Sequence, residues 1–574
     1  MKTSRHPAPA ARQLPASFAP TSFAAIEPWL LELEARDLNS VGELEAWLLD
    51  RSELDSAIAE EALQRMFANS CHTDDQHAEA AHMEYQTKVL PAIKPLDDRL
   101  DKKYLACPLR AQLDQQQWSV YDRDVELGVQ LFREENVALE AEEEEVANRY
   151  AQVIGAMTVD FDGEERTLAA LGTYAENPDR QVREDAWKVA VARRLVDKGE
   201  LDTVFDALVI LRQKQAANAG FDNYRDYMHL AKGRFDYTPA DCLAFHKNVE
   251  KFVMPVMKRM QEYRQAQLGV SALRPWDLAV DLEQAAAFEP FHDVDSHVDV
   301  AAKLLAKVDP QFDEELRWLY AEGLFDLSTR PHKAPGGYMD TLERRRVPLI
   351  FANSGTTHSD VETLVHEGGH ALNALLARDL EPVAYRMPPL EFAEVASMGL
   401  EALAMEHLPA VYPAADARRA RVASLESMVT TFPWVATIDA FQQWIYTDPA
   451  HDCQSREANW LKIQSRFSGN VDWTGFAAER AALWQRQLHL YQVPFYYIEY
   501  ALAQMGALQL WIHYRQNPAA TVAAYKRALA LGGSVKLPQL FEAAGLQFDP
   551  RGDGLQEWMA EVESAWRAEL GLAS

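Results

Sequence analysis

From Phe23 to about Ile154, apolar residues recur at intervals of three and four: Trp29, Leu30 and Leu33, then Leu44, Trp47 and Leu48, then Leu63, Met66 and Phe67. That spacing repopulates one face of a 3.6-residue helix, so it predicts long antiparallel helices. The period changes at "TVDFDGEERTL", residues 158–168, where apolar and polar residues alternate around Asp162-Gly163. Alternation about a tight turn predicts a β-hairpin. Asp160 and Asp162 lack the later ligand positions that a calcium loop requires. "ENPDRQVREDAWKVAVARR" then opens further long helices, which run through "YRDYMHLAKGRFDYTPADCLAFHKNVEKFVMPVMKRM". The acidic run Glu142 to Glu145 falls inside a helix and reads as a solvated face. The most apolar window, Val493 to Ile512, contains Glu499, Gln504 and Gln509, which predicts a buried helix and not a membrane span. The predicted class is mostly α.

One β segment breaks this pattern in the middle of the chain. "RRVPLIFAN", residues 345–353, is short and apolar, and the turn residues of "SGTTHSD" follow it. Ser359 to Glu362 matches a capping box, so a helix is expected from Asp360 to about Ala377, with Val361, Leu364, Val365, Leu372, Leu375 and Leu376 on its buried side. That helix carries "LVHEGGHA". His366 and His370, four residues apart, share one face a turn apart, where two imidazoles can hold a single ion with Glu367 beside it. Gly368 and Gly369 each cost a helix about 1 kcal/mol relative to alanine. Packing must compensate, or a neighbouring segment must come unusually close.

A catalytic zinc takes three protein ligands and keeps one position for water, so a third ligand is needed. "LEFAEVASMGLEALAMEHL", residues 390–408, is a mostly apolar helical stretch with Glu391, Glu394, Glu401 and Glu406. Glu394 and Glu401 lie seven residues apart, two turns along one face, so both can look into one cavity. Glu394 as ligand and Glu401 as its supporting partner is the economical assignment.

Composition narrows the remaining possibilities. The 574 residues carry a formal charge of -30, which argues against a nucleic-acid partner, because phosphate binding needs clustered Lys and Arg. Cys71, Cys107, Cys242 and Cys453 are far apart, which indicates neither a disulfide framework nor a thiolate metal site and suggests reduced thiols in a cytoplasmic protein. Residues 1–22 hold four prolines and no apolar core of signal-peptide type, and read as a flexible tail. A helical region with the hairpin is expected over 23–200 and a catalytic region over 201–574. Two other polar clusters, "SCHTDDQHAEAAHME" and "FHDVDSHVDV", read as a polar helix face or loop and as a solvated connection. Nucleotide-binding and serine-nucleophile motifs are absent from the sequence.

The motif, the glutamate 28 residues after His366 and the flanking segments together resemble the M3 metallopeptidases of the thimet oligopeptidase and oligoendopeptidase F group. "APGGYMDTLERRRVPLIFANSGTTHSDVETLVHEGGHAL" follows that family's order of glycine-tyrosine loop, edge strand and zinc helix. "HLYQVPFYYIEYALAQ", residues 489–504, is similar to its histidine and tyrosine segment, and "YKRALALGGSVKLPQLFEAAGL" to the oligoendopeptidase F type of C-terminus. The resemblance implies a gluzincin-like M3 fold, in which two helical lobes enclose a deep substrate channel and a small β-sheet lies beside the zinc helix. It implies one Zn2+ per chain on His366, His370 and Glu394, Glu367 as general base, and His489, Tyr497 and Tyr500 as donors to substrate or oxyanion, with Tyr496 the alternative to Tyr497. Gly336, Gly337 and Tyr338 would form a substrate-covering loop, and the strand around Val347 to Ala352 would pair with an extended peptide. The function implied is zinc-dependent cleavage of internal bonds in short unstructured peptides, with no membrane partner and with oligomeric state left open. Two rivals share the same helix. One is a zinc carboxypeptidase anchoring the terminal carboxylate on Arg344 to Arg346 or Arg386, and the other is a peptide-binding protein without turnover.

Overall fold

The computed structural model describes residues 5–283 and 288–572. About 70% of the chain is helical, and two compact units divide it, each assembled from three stretches. The first takes 1–137, 288–420 and 503–548, and the second takes 138–287, 421–502 and 549–574. A linear boundary near residue 200 therefore coincides with neither unit, because contacts distant in sequence decide which segments pack together.

In the first unit, helices Phe23–Ala35, Val41–Cys71 and Leu90–Ala106 bury the predicted stripe. Leu30, Leu33, Leu44, Trp47, Leu100 and Tyr104 sit in one apolar cluster, and the Trp47 indole donates to the Leu33 carbonyl at 2.9 Å. Residues 5–22, expected as a tail, have no regular element but lie on this unit: Leu14 is buried, Arg12 pairs with Asp50, and Glu53 accepts the amides of residues 12, 13 and 14.

The same unit holds a three-stranded sheet of β3 (Phe325–Ser328), β4 (Tyr338–Leu342) and β5 (Val347–Ser354), ordered β3-β5-β4. The segment predicted as a strand is thus the central one, parallel to β3 and antiparallel to β4. Its first six residues are buried, which explains the unbroken apolar run. Both edges of β5 are already paired, so the expectation that an extended peptide pairs with Val347 to Ala352 is corrected. An edge strand such as β4 is what can accept a peptide here.

The second unit contains the hairpin as expected, with β1 (Thr158–Phe161) antiparallel to β2 (Glu164–Thr167). Helix Arg180–Val196 packs on the hairpin, and the unit also holds helices Lys198–Asn218, Met254–Leu268 and Cys453–Phe467. The acidic run is only partly a solvated face: Glu143 receives hydrogen bonds from the fully buried Arg212 at 2.6 Å and from Gln215 at 2.8 Å. A guanidinium removed from water needs such a partner. Among the described residues, no helix is long and apolar enough to cross a membrane, and the Val493–Ile512 window falls largely in the buried helix Tyr497–Gln516.

Candidate metal and catalytic centre

The motif helix runs from His358 to Ala377, two residues earlier than expected, because Thr357 and not Ser359 caps it. The Asp360 carboxylate closes the capping box, accepting from the Thr357 amide at 2.8 Å and hydroxyl at 2.7 Å. It also takes the Gly355 amide at 3.0 Å, which fixes the turn between β5 and the helix. His297 fastens the same junction from the side, bonded to Ser354 Oγ at 2.8 Å and to the Asp360 carbonyl at 3.0 Å. Its parent segment is therefore not a solvated connection: Asp293 caps helix Val294–Val308, and His297 is 1% exposed. A lone histidine in a polar run carries no sequence signal of that brace.

Helix Leu390–Met405 lies against the motif helix, and the glycine pair shows how close the two come. A Cβ on Gly369 would stand 2.6 Å from both the Ala396 oxygen and the Ser397 Cα, whereas one on Gly368 would meet only Leu316 at 3.7 Å and Leu305 at 3.9 Å. The near approach expected of the pair is thus confined to Gly369.

That crossing brings His366, His370 and Glu394 to one point, with a ligand atom of each within 4.8 Å of the others. Glu394 Oε2 lies 3.6 Å from His366 Nε2 and 3.9 Å from His370 Nε2. Donors bound tetrahedrally at roughly 2.0–2.2 Å stand roughly 3.3–3.6 Å apart, so two imidazoles and a carboxylate in this arrangement fit a zinc-sized ion after a small contraction. Glu401 Oε1 is 2.5 Å from His366 Nδ1. This is the carboxylate-to-imidazole contact that sets a ligand's tautomer and raises its basicity. Among the described residues no other histidine, cysteine and acid group clusters in this way.

Considering protein atoms alone, the electrostatics are those of crowded carboxylates. Burial opposes a positive His366, but the hydrogen bond to Glu401 and the charges of Glu401, Glu394 and Glu367 outweigh it and push its pKa up to about 9. His370 falls to about 3, from burial and then from the neighbouring His366 charge. Glu367 rises to about 7: burial and the charges of Glu394 and Glu401 raise it, while His366 and the Met339 backbone amide pull it down. The Met339 amide reaches Glu367 from β4, so this edge strand borders the carboxylate between the histidines.

A pocket of about 330 Å³ opens here, lined by Gly337, Thr363, His366, Glu367 and Glu401 among others. A Cβ on Gly337 would stand 3.3 Å from the Phe351 oxygen, so glycine lets the chain lie on β5. Tyr338 begins β4 with its ring stacked 5.0 Å from Phe351. Gly336 is tied by its carbonyl to Asn353 at 2.9 Å. Lys333, whose side chain is 0% exposed, stitches this loop to the sheet through Asp326 at 2.9 Å and the Ala352 carbonyl at 2.5 Å. Nothing in the sequence marked Lys333 as more than a surface lysine.

The second unit holds the other expected residues as a separate cluster. Rings of Tyr496, Tyr497 and Tyr500 lie 5.8, 4.7 and 6.0 Å from that of His489. Burial and the Lys232 charge lower His489 to about 4, so it is neutral at physiological pH. Gln487 Nε2 is 2.7 Å from its Nδ1, so the amide donates there and leaves the tautomer with its proton on Nε2. The Tyr497 hydroxyl accepts from Trp434 Nε1 at 3.3 Å, and Tyr496 presents its ring to Lys232 at 5.1 Å.

A helix pair that presents two imidazoles and a carboxylate to one point, with Glu367 and an edge strand alongside, is an arrangement able to hold a metal ion, and similarity to known proteins places the chain among peptidases. The family model for peptidase family M3 matches residues 173–560, more than half of the sequence, and the chain belongs to that family. Its relatives include an oligoendopeptidase F homolog from Mycoplasma pneumoniae, 23% identical over 443 residues, covering 71% of this chain and 70% of that protein. Oligopeptidase A of Salmonella typhimurium is 27% identical over 265 residues, which cover 36% of this chain and 38% of that one. Among solved structures, Pz peptidase A with an inhibitor superposes at a TM-score of 0.89 with 26% identity, covering 95% of this chain and 96% of the other. A putative oligoendopeptidase F gives 0.89 at 26% identity, covering 96% and 97%. The fold is that of the oligoendopeptidase F type.

Proposed function

We propose that this M3 peptidase is a zinc-dependent endopeptidase that cleaves internal bonds of short unstructured peptides. The observation that carries the reading is the meeting of His366, His370 and Glu394 with Glu367 alongside. Zinc held by these three side chains would supply Lewis acidity, acidifying a water and polarising the scissile carbonyl. Glu367 takes the proton from that water as it attacks and returns it to the departing amine nitrogen. Glu401 holds the His366 imidazole in the ligating tautomer. The outer edge of β4 aligns the substrate main chain, which gives affinity without demanding a sequence. His489, Tyr497 and Tyr500 act as donors to the developing oxyanion and the substrate backbone. Tyr497 is preferred over Tyr496 because Tyr497 and Tyr500 keep the three-residue spacing that the family resemblance implies for the pair. Gly336, Gly337 and Tyr338 border the substrate beside the pocket.

The arginines considered as a carboxypeptidase's anchors each have partners within the protein, which favours the endopeptidase reading. Arg344 donates to the carbonyls of Phe18 and Pro15, Arg345 pairs with Glu60, Arg346 with Glu381 and Arg386 with Glu343. The four described cysteines are free, which supports the proposed cytoplasmic location. The test is hydrolysis of an internally quenched, end-blocked peptide after chelation and zinc add-back, with Glu367→Gln alongside. Zinc-restored internal cleavage, with a variant that binds the ion and does not turn over, is the expected result. A zinc-loaded wild type that leaves blocked peptides intact but trims free-ended ones would replace this reading with the exopeptidase.

A further inference from the structure

Two arginines of the second unit stand apart from the pattern of the molecule. With 87 Asp and Glu against 57 Lys and Arg, a cation ordinarily finds a carboxylate. Arg486, at the end of the 3-10 turn Leu483–Arg486, does not: among the described residues the charged or acidic groups that act on it are Arg194 and then the Tyr497 phenol, and neither is a carboxylate. Arg194, in the last turn of helix Arg180–Val196, likewise has no carboxylate acting on it among the described residues, only the Tyr150 phenol. Arg486 is exposed, and partial desolvation by the neighbouring protein and the Arg194 charge lower its pKa.

Arg486 forms part of the wall of a cavity of about 430 Å³ that lies wholly within this unit, a size in the usual range of roughly 300–1,000 Å³ for ligand pockets. Trp187, Met257, Met260 and Phe467 give that cavity an apolar lining. Its acid, Glu426, is already committed to Arg264 at 2.6 Å and to the Trp566 indole at 3.1 Å. The cation in the wall without a carboxylate partner among the described residues is therefore Arg486. Its guanidinium lies 5.0 Å from the centre of the Trp434 ring, which fixes one face and leaves the N–H edge to bond elsewhere. The same Trp434 donates to Tyr497 and to Gln487, each at 3.3 Å, and Gln487 holds His489. One indole thus separates Arg486 from the proposed donor cluster.

We propose that this cavity is a substrate subsite in which Arg486, with Arg194 behind it, binds a peptide carboxylate while the apolar wall takes the adjoining side chain. The proposal rests on the peptidase reading and adds the chemical class of peptide preferred. A carboxylate can come from the substrate's C-terminus or from an acidic side chain, and two matched pairs of peptides separate the sources.

The experiment measures KM and kcat of the zinc-loaded, full-length enzyme on internally quenched peptides. One pair differs in a free or amidated C-terminus, and the other, amidated throughout, in an internal Glu or Gln. A charge-assisted hydrogen bond predicts a KM lower by about 10-fold or more for the carboxylate member of one pair. In Arg486→Gln that ratio falls to near one, and Arg486→Lys retains part of it. Discrimination in the first pair assigns the terminal carboxylate, and in the second an acidic side chain. No discrimination by wild type in either pair, or an equal loss on both members in Arg486→Gln, would overturn the proposal. If wild type cleaves none of these peptides, the peptidase reading has failed, and calorimetry of their binding to wild type and Arg486→Gln decides this one separately. The same preference and its loss would support it, and equal affinities would overturn it.

Discussion

Alanine at Gly369 and alanine at Gly368 should have opposite effects, although the two residues are neighbours on one helix. Relieving a glycine inside a helix is worth about 1 kcal/mol to either variant. At Gly368 the new methyl meets Leu316 and Leu305 at ordinary contact distance, so Gly368→Ala should be as stable as wild type or more so. At Gly369 the methyl would sit 2.6 Å from backbone of Ala396 and Ser397, and backbone cannot swing aside as a side chain can. Restoring an ordinary contact of 3.4 Å asks the two helices to separate by about 0.8 Å. Overpacking of this kind costs about 1–3 kcal/mol, which meets or exceeds the helical gain. The same separation moves Glu394 away from the histidines, so zinc affinity should fall about 10-fold or more. The assays are thermal unfolding of the zinc-free proteins and zinc titration against a competing chelator. A Gly369→Ala protein with wild-type stability and wild-type zinc affinity would show that the helices do not cross this closely.

Glu401→Gln should weaken zinc binding by about 10- to 100-fold, because His366 loses the carboxylate that fixes its tautomer, and the same chelator titration reads it. Tyr500→Phe and Tyr497→Phe should each lower kcat by about 10²- to 10³-fold with little change in KM if their hydroxyls meet the oxyanion, whereas Tyr496→Phe should not. For Asp326, burial raises the carboxyl pKa, but hydrogen bonds from Arg330, Cys71 and Lys333 outweigh it and hold it well below the usual range. The stability it contributes is therefore complete at neutral pH and is lost as pH falls below about 4 towards the folded-state value. Asp326→Asn should cost about 3 kcal/mol in urea unfolding at pH 7, because it strips the buried Lys333 of its counter-charge, and should flatten the decline seen on acidification.

Much of the centre was legible in order along the chain, because the residues that meet there, His366, His370 and Glu394, sit on two regular helices. A helix converts spacing into direction, so four residues between His366 and His370, and seven between Glu394 and Glu401, already say which side chains share a face. The hairpin at Asp162-Gly163 and the helical stripe from Phe23 were readable for the same reason, as local periodicity reports local geometry. Periodicity does not say which element lies against which. The central place of β5, the contact of Gly369 with Ala396 and the bond from Glu401 to His366 depend on packing between segments distant in sequence. His297, Lys333 and Arg486 carried no pattern at all. Their surroundings exist only once the chain has folded: a carbonyl at a helix start for His297, a half-buried carboxylate for Lys333, and for Arg486 a largely apolar cavity whose one carboxylate among the described residues, Glu426, is already bound to Arg264.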